Sequence, residues 1–304
     1  MIPAVSFMTS MILACLVTGL TLAYGVLISP PTAVLGLPLM ALFFSGIFLV
    51  QWLGFGVAWT LKTERYYDLT GSLTYLVVVM LAWRLGQPTS WGANLLLVAV
   101  VVWATRLGSF LFLRVIEVGE DQRFRHIKES APRFLMAWTL QGTWVAITVS
   151  AVLVALLPAK SAPAEPHGVF ATSVFALGFI LAIAGLSLEI AADQQKARFR
   201  KNPENKGRFI HTGLWSRSRH PNYFGEILFW LGLAVASTPT MSGMQYAAWL
   251  SPLFVYFLLT RLSGIPTLAK RGQKLWGDDP AFQAYLATTP RLLPRLTKPN
   301  SSNP

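Results

Sequence analysis

Eight apolar runs, each about the length a helix needs to cross the hydrocarbon of a bilayer, are spaced along this 304-residue chain. They cover roughly residues 4–28, 34–60, 69–84, 92–115, 134–157, 169–190, 222–237 and 243–261, the third and seventh being short. Runs at this density predict an all-α fold, a polytopic membrane bundle of about eight transmembrane helices. The composition agrees: 54% of residues are hydrophobic and 12% charged, against about 25% charged in an ordinary soluble domain. The first run has no Lys or Arg ahead of it and exceeds the apolar stretch of a signal peptide, so it is read as a helix. A single cysteine, Cys15, excludes an internal disulfide. The four histidines, at 126, 167, 211 and 220, form no pair at ligand spacing, and no metal site is expected.

A net charge of +12 raises the question of nucleic acid. All but three of the 25 Lys and Arg residues lie in the segments 61–68, 114–133, 191–221 and 261 onward. Those segments share one side of the membrane if the spans alternate. The exceptions are Arg84 and Lys160 on the other side and Arg106 inside the fourth run. This asymmetry predicts that both termini are cytoplasmic. It accounts for the charge without a nucleic-acid partner.

Charged groups inside spans are costly and point to function. In the fourth run Trp103, Arg106, Phe110 and Arg114 share one helix face. Glu189, Asp193, Lys196 and Arg200 do so at the end of the sixth. Arginines snorkelling to the headgroups would explain the first face, and ion pairs along a helix the second. The most specific stretch runs from Gly213 to Glu226 and contains Trp215, Arg217, Arg219, His220, Pro221, Asn222 and Tyr223. It is a basic loop feeding a helix that starts at Pro221, a residue suited to the first helical position. Free N–H groups at such a start favour an anion, and the arginines add charge-assisted bonds. A plain interfacial helix start is the alternative. There is no phosphate-binding glycine loop, and Gly54-Phe-Gly56 lies within a span, so any nucleotide must be held by helices.

This stretch, with the acidic and basic helix before it, resembles the steroid 5-alpha-reductase-like membrane proteins. The likeness is strongest to a bacterial branch described only as a domain of unknown function. It extends from about Tyr66 to Pro294, with Trp103-x-x-Arg106-Leu-Gly and Gly119-Glu120-Asp121-x-Arg123-Phe124 as further matches. The resemblance implies an integral protein of the bacterial inner membrane that uses cytoplasmic NADPH to reduce a carbon–carbon double bond. The substrate would be a lipid-like molecule entering from the bilayer, with no obligate protein partner. Carried over by position, the cofactor contacts are Arg106, Asp193, Arg200, Asn222, Glu226 and Arg261. Sterol reductases with a similar pattern add Trp215, Arg219, His220 and Tyr223. Steroid reductases pair a Glu with a Tyr to polarise an enone; here Trp103 stands at the Tyr position and the Glu position falls near Asp68, beside Tyr66 and Tyr67. An indole donates a hydrogen bond but supplies no proton. Asp68 is then either the acid, with Tyr66 or Tyr67, or a helix N-cap.

The resemblance divides the chain into accessory helices (1–61), a catalytic membrane domain (62–294) and an irregular tail (295–304). Trp276, Phe282 and Tyr285 are expected on the membrane interface. A second resemblance is to isoprenylcysteine and phospholipid methyltransferases, which carry a similar Arg-His-Pro-x-Tyr stretch and bind S-adenosylmethionine. That molecule carries no phosphate, so the arginines would be in surplus for it; a non-catalytic membrane protein is the remaining alternative.

Overall fold

A computed structural model describes residues 7–295, apart from 32, 35, 89, 120, 122, 123 and 158–167. The expected outer loop from Ala159 to His167, the tail from 296, and Glu120 and Arg123 lie outside the described residues. The helices are α1 (Phe7–Leu27), α2 (Leu39–Thr60), α3 (Tyr67–Gly86), α4 (Trp91–Val118), α5 (Ala131–Leu156), α6 (Gly168–Lys201) and α7 (Pro221–Ser237). They are followed by α8 (Leu250–Phe257), α9 (Gly264–Trp276) and α10 (Pro280–Thr288). The all-α class is borne out, the one β element among the described residues being a hairpin of two-residue strands, β1 (Ala33–Val34) and β2 (Leu37–Pro38). Among the described residues seven helical stretches are long and apolar enough to cross a membrane, and the chain is an integral multi-pass membrane protein. The expected eighth, α7, has 17 residues and falls just short of that length.

The chain forms two compact units, residues 1–176 with 234–251, and residues 177–233 with 252–304. In the first unit α5 is the centre. It is buried on almost every face, and a helix apolar all round belongs inside. Its hydroxyl and amide residues are tied to surrounding helices. Thr143 accepts from Thr21 of α1, and Ser150 shares a hydrogen bond of 2.8 Å with Tyr24. Thr139 accepts from the Trp52 indole of α2 at 3.1 Å. Gln141 donates to the Tyr67 carbonyl at 3.0 Å, and Thr148 bonds the hydroxyl of Tyr75 on α3. Lipid tails supply no hydrophobic drive between helices, so such bonds and close packing hold the bundle.

Glycines permit that closeness. A Cβ at Gly54 would strike the Trp138 ring, one at Gly142 would strike Phe48, and one at Gly86 would strike the Leu156 carbonyl oxygen. Gly54 of the excluded nucleotide motif is therefore a packing residue between α2 and α5.

The second unit contains most of α6, whose 34 residues extend about 51 Å at 1.5 Å per residue. The hydrocarbon core is only about 30 Å thick, so the final turns reach beyond it. This explains how Asp193, Lys196 and Arg200 continue a helix that begins as a span. After α8 the helix widens into a π turn at Leu258–Leu262 before α9. Phe282 is buried, and it packs with Trp276 and Tyr285 around Phe209 at ring separations of 5.1–6.0 Å. These aromatics clamp the segment after α6 to the tail. Each polar edge has a protein partner: Trp276 donates to the Gly207 carbonyl and Tyr285 to the Trp215 carbonyl.

Gly86→Ala should overpack the α3–α5 contact and cost about 1–3 kcal/mol. Gly46→Ala, with no atom within 4 Å of the added Cβ, should be neutral or slightly stabilising because alanine favours helix. Thermal unfolding of both variants in detergent checks the pair.

Candidate functional site

The Gly213–Glu226 stretch is built in the second unit from the contact of α6 with α7. Gly185 faces the Gly225 carbonyl and the Phe229 amide, Gly225 faces Gly185 and the Glu189 amide, and Gly232 faces Gly178 and Ala182. At each of these positions an added Cβ would meet backbone at 2.7 Å or less. The two helices thus touch backbone to backbone, in the manner of small-residue membrane interfaces. That closeness brings the ends of both helices into register. Asn222, the second residue of α7, donates to the Asp193 carboxylate at 3.1 Å. Glu189, Asp193 and Glu226 are all buried.

The loop before α7 is held from two sides. From α6, the Ala192 carbonyl accepts from the Trp215 indole at 3.0 Å, and Gln195 accepts from the Leu214 amide at 2.9 Å. Lys196 lies over the Trp215 ring, 4.4 Å from its centroid. Gly213 sits at φ +63, where a Cβ would also strike Gln195, so glycine is required. From the tail, the Pro290 carbonyl accepts from the Arg219 amide at 2.9 Å, and the Leu292 carbonyl accepts from the Ser218 hydroxyl at 2.7 Å. The Arg217 carbonyl accepts from the Arg295 amide at 3.0 Å. Arg291 donates to the Thr260 carbonyl of the π turn at 2.9 Å. The segment 289–295 is irregular, and it is pinned along its length.

Pro221 opens α7 as its first residue, as the sequence implied. His220 stacks on Tyr223 at 5.6 Å with the rings within 10° of parallel. Its Nδ1 and the Nε of Arg219 are buried without a hydrogen-bond partner among the described residues. Burial, with Lys196, Arg219 and Arg291 nearby, pushes the His220 pKa down to about 3. Burial lowers that of Arg219 as well. Burial raises that of Tyr285. Two buried nitrogens lacking partners among the described residues, beside a helix N-terminus, are groups that a hydrogen-bonding ligand could satisfy.

The structure thus brings Asp193, Trp215, Arg219, His220, Asn222, Tyr223 and Glu226 together within one unit. Arg200 and Arg261 are exposed in the same unit. Arg106 belongs to the first unit, half-buried, with its guanidinium 5.8 Å from the Phe110 ring centroid.

The acid candidates also lie in the first unit, and they divide. Asp68 is the second residue of α3, whose N-cap is Tyr66, so the N-cap reading gives way to a first-turn acid favoured by the helix dipole. It pairs with Arg114 of α4 at 3.9 Å. Tyr66 stacks on Phe112 at 6.5 Å. Tyr67 turns to α5, donating to the Ala137 carbonyl at 2.9 Å. Trp103 is buried against Tyr75 at 5.1 Å, edge to face. Tyr75 follows Asp68 by seven residues, about two helical turns, so Trp103 occupies a different layer from Asp68. Sequence reasoning missed Tyr75, although a tyrosine inside an apolar run on the Asp68 face was a readable signal. It gave Tyr285 only an interfacial role, not its hydrogen bond to the Trp215 carbonyl, and it missed Ser218 and Arg291, for which local pattern carried no signal.

A family model described as a protein of unknown function (DUF1295) matches residues 54–289. The chain is 34% identical over 119 residues to the probable O-methyltransferase ustE of Ustilaginoidea virens, covering 36% of this chain and 42% of that protein. It is 36% identical over 63 residues to steroid 5-alpha-reductase DET2 of Arabidopsis thaliana, covering 20% of this chain and 23% of that protein. The chain thus spans less than half the length of each of these curated relatives. No solved structure matches.

Below pH 6.5 an unfolded His220 takes up a proton that the buried ring refuses until about pH 3. The unfolded state therefore binds more protons in that window, and stability falls on acidification by up to about 1.4 kcal/mol per pH unit. Chemical denaturation of the wild type and of His220→Gln between pH 4 and 7 checks this. The variant should lose that part of the slope.

Proposed function

The chain belongs to the DUF1295 family of steroid 5-alpha-reductase-like membrane proteins, and on that premise we propose that it is an NADPH-dependent membrane reductase. The hydride acceptor in this reading is a carbon–carbon double bond of a lipid-like, steroid- or enone-like substrate. The observation that carries the cofactor assignment is the start of α7, where Arg219 Nε and His220 Nδ1 are buried without partners among the described residues. Arg217, Arg219, Arg291 and Lys196 give it the positive charge that a phosphate-rich ligand needs. Asn222, held by Asp193, presents an amide to a ribose or carboxamide, and Tyr223 with His220 presents a stacked aromatic face. When bound, NADPH supplies a hydride. The residues here bind and orient it, and the tail segment 289–295 holds the loop that does so. The cofactor side faces the cytoplasm in this reading, because the positive-inside rule assigns these arginines there.

A second reading, a methyltransferase using S-adenosylmethionine, is favoured by the 119-residue likeness to the probable O-methyltransferase. The cationic cradle weighs against it, since that cofactor carries a sulfonium and no phosphate.

Thermal unfolding of the purified protein with NADPH, NADH or S-adenosylmethionine tests both. NADPH at about 100 times its Kd should add about 2.7 kcal/mol. Asn222→Ala should remove most of that gain, because the amide is lost and the Asp193 carboxylate loses a donor. Selective stabilisation by S-adenosylmethionine would transfer the site to the second reading, and no response to any nucleotide would end both.

A further inference from the structure

At the membrane boundary of the first unit a cleft of about 390 Å³ opens, lined by Leu61, Lys62, Glu64, Arg65, Gly119 and Lys128 together with Thr63. That volume is in the range of small-ligand sites. Its position follows from connectivity. Residues 61–66 join the spans α2 and α3, Gly119 directly follows α4, and Lys128 lies three residues before α5. Four spans end here, so the cleft lies at headgroup level, with Leu61 and Tyr66 exposed beside it.

The charges are arranged unequally. Glu64 is buried, with Lys128 donating to it at 2.7 Å and the Asp121 amide at 2.9 Å. Burial pushes the Glu64 carboxyl up, but those two donors outweigh it and hold it below the usual carboxylate range. Glu64 and Lys128 thus satisfy each other. Lys62 and Arg65 have no carboxylate partner among the described residues. The Lys62 ammonium rests 3.4 Å from the centroid of the Trp59 ring, and Arg65 spends only its Nε, on the Gly119 carbonyl at 3.3 Å. That leaves the paired terminal nitrogens of the guanidinium fork available for a bidentate acceptor. Lys62 is also held at φ +52, the left-handed position that closes α2, with its amide on the Trp59 carbonyl at 3.3 Å and the Thr63 amide on the Ala58 carbonyl at 3.0 Å, so its backbone is fixed over the cleft. Two unmatched cations over a polar cleft at headgroup depth are the arrangement that recognises a phosphate group.

We propose that this cleft binds a phosphate ester, with Lys62 and Arg65 as its ligating cations. The ester is carried either by an anionic phospholipid, whose chains would run along Leu61 and Tyr66, or by a soluble molecule. The site is independent of the cofactor assignment above.

The test uses the full chain in nanodiscs of phosphatidylcholine alone or with phosphatidic acid, and in detergent with glycerol 3-phosphate. A bound phospholipid predicts a Tm several degrees higher with phosphatidic acid, and a phospholipid retained in native mass spectrometry. Lys62→Ala with Arg65→Ala should lose both effects, and Lys62→Arg with Arg65→Lys should keep most of the shift. A shift with glycerol 3-phosphate in detergent, lost in the same double variant, would assign the ester to a soluble ligand. Should the alanine variant not fold, Lys62→Gln with Arg65→Gln carries the same comparison. Equal Tm values in all arms for wild type and variant, with no retained phospholipid, overturn the proposal.

Discussion

Lipid tails are as apolar as leucine, so a helix gains nothing from burying its apolar surface against another helix in place of lipid. Association must come from backbones that approach closely and from polar groups that find partners only in each other. Each compact unit solves this in its own way. In the first, α5 carries hydroxyl and amide groups on several faces and ties α1, α2 and α3 by at least one of them each. In the second, α6 and α7 have removed their side chains along the contact, so that glycine faces backbone at Gly185, Gly225 and Gly232. The chemistry at the helix ends depends on that contact, because it sets the distance between Asp193 and Asn222.

The unit holding the Arg-His-Pro-Asn-Tyr run shows how a site can be precise while lying on a loop. Residues 213–220 have little regular structure, yet nearly every backbone or side-chain anchor they use is accounted for. Ala192 and Gln195 secure one side, and Pro290 and Leu292 secure the other. What these anchors leave over is specific: a guanidinium Nε and an imidazole Nδ1, buried and without partners among the described residues. A loop held this firmly has few ways to satisfy them by moving, which favours a ligand as the missing partner.

Much of this was legible from residue order. Span positions follow from apolar run length, and the opening of α7 follows from the fixed φ and absent N–H of Pro221. The Asp193 and Arg200 face follows from the 3.6-residue period. Other features had no local signature. Asp68 looked equally suited to capping and to acid chemistry, and only its place in the first turn, opposite Arg114, separates the two. Trp276, Phe282 and Tyr285 have the composition of an interfacial belt, but they pack on Phe209, more than 60 residues earlier in the chain. Arg291 meets the Thr260 carbonyl within a π turn, a conformation that no periodicity announces.

The sequence by itself therefore determined the solvent and the secondary structure. An apolar run of about 20 residues has one stable form in lipid, and charge asymmetry implies its direction. Tertiary structure decided which polar groups are left without partners. That depends on which side chains the folded chain brings within hydrogen-bonding distance, as with Glu64 and Lys128 or Ser218 and the Leu292 carbonyl. Distance in space is set by packing between remote segments, and it is on the remainder of that pairing, at Arg219, His220, Lys62 and Arg65, that the proposed ligand sites rest.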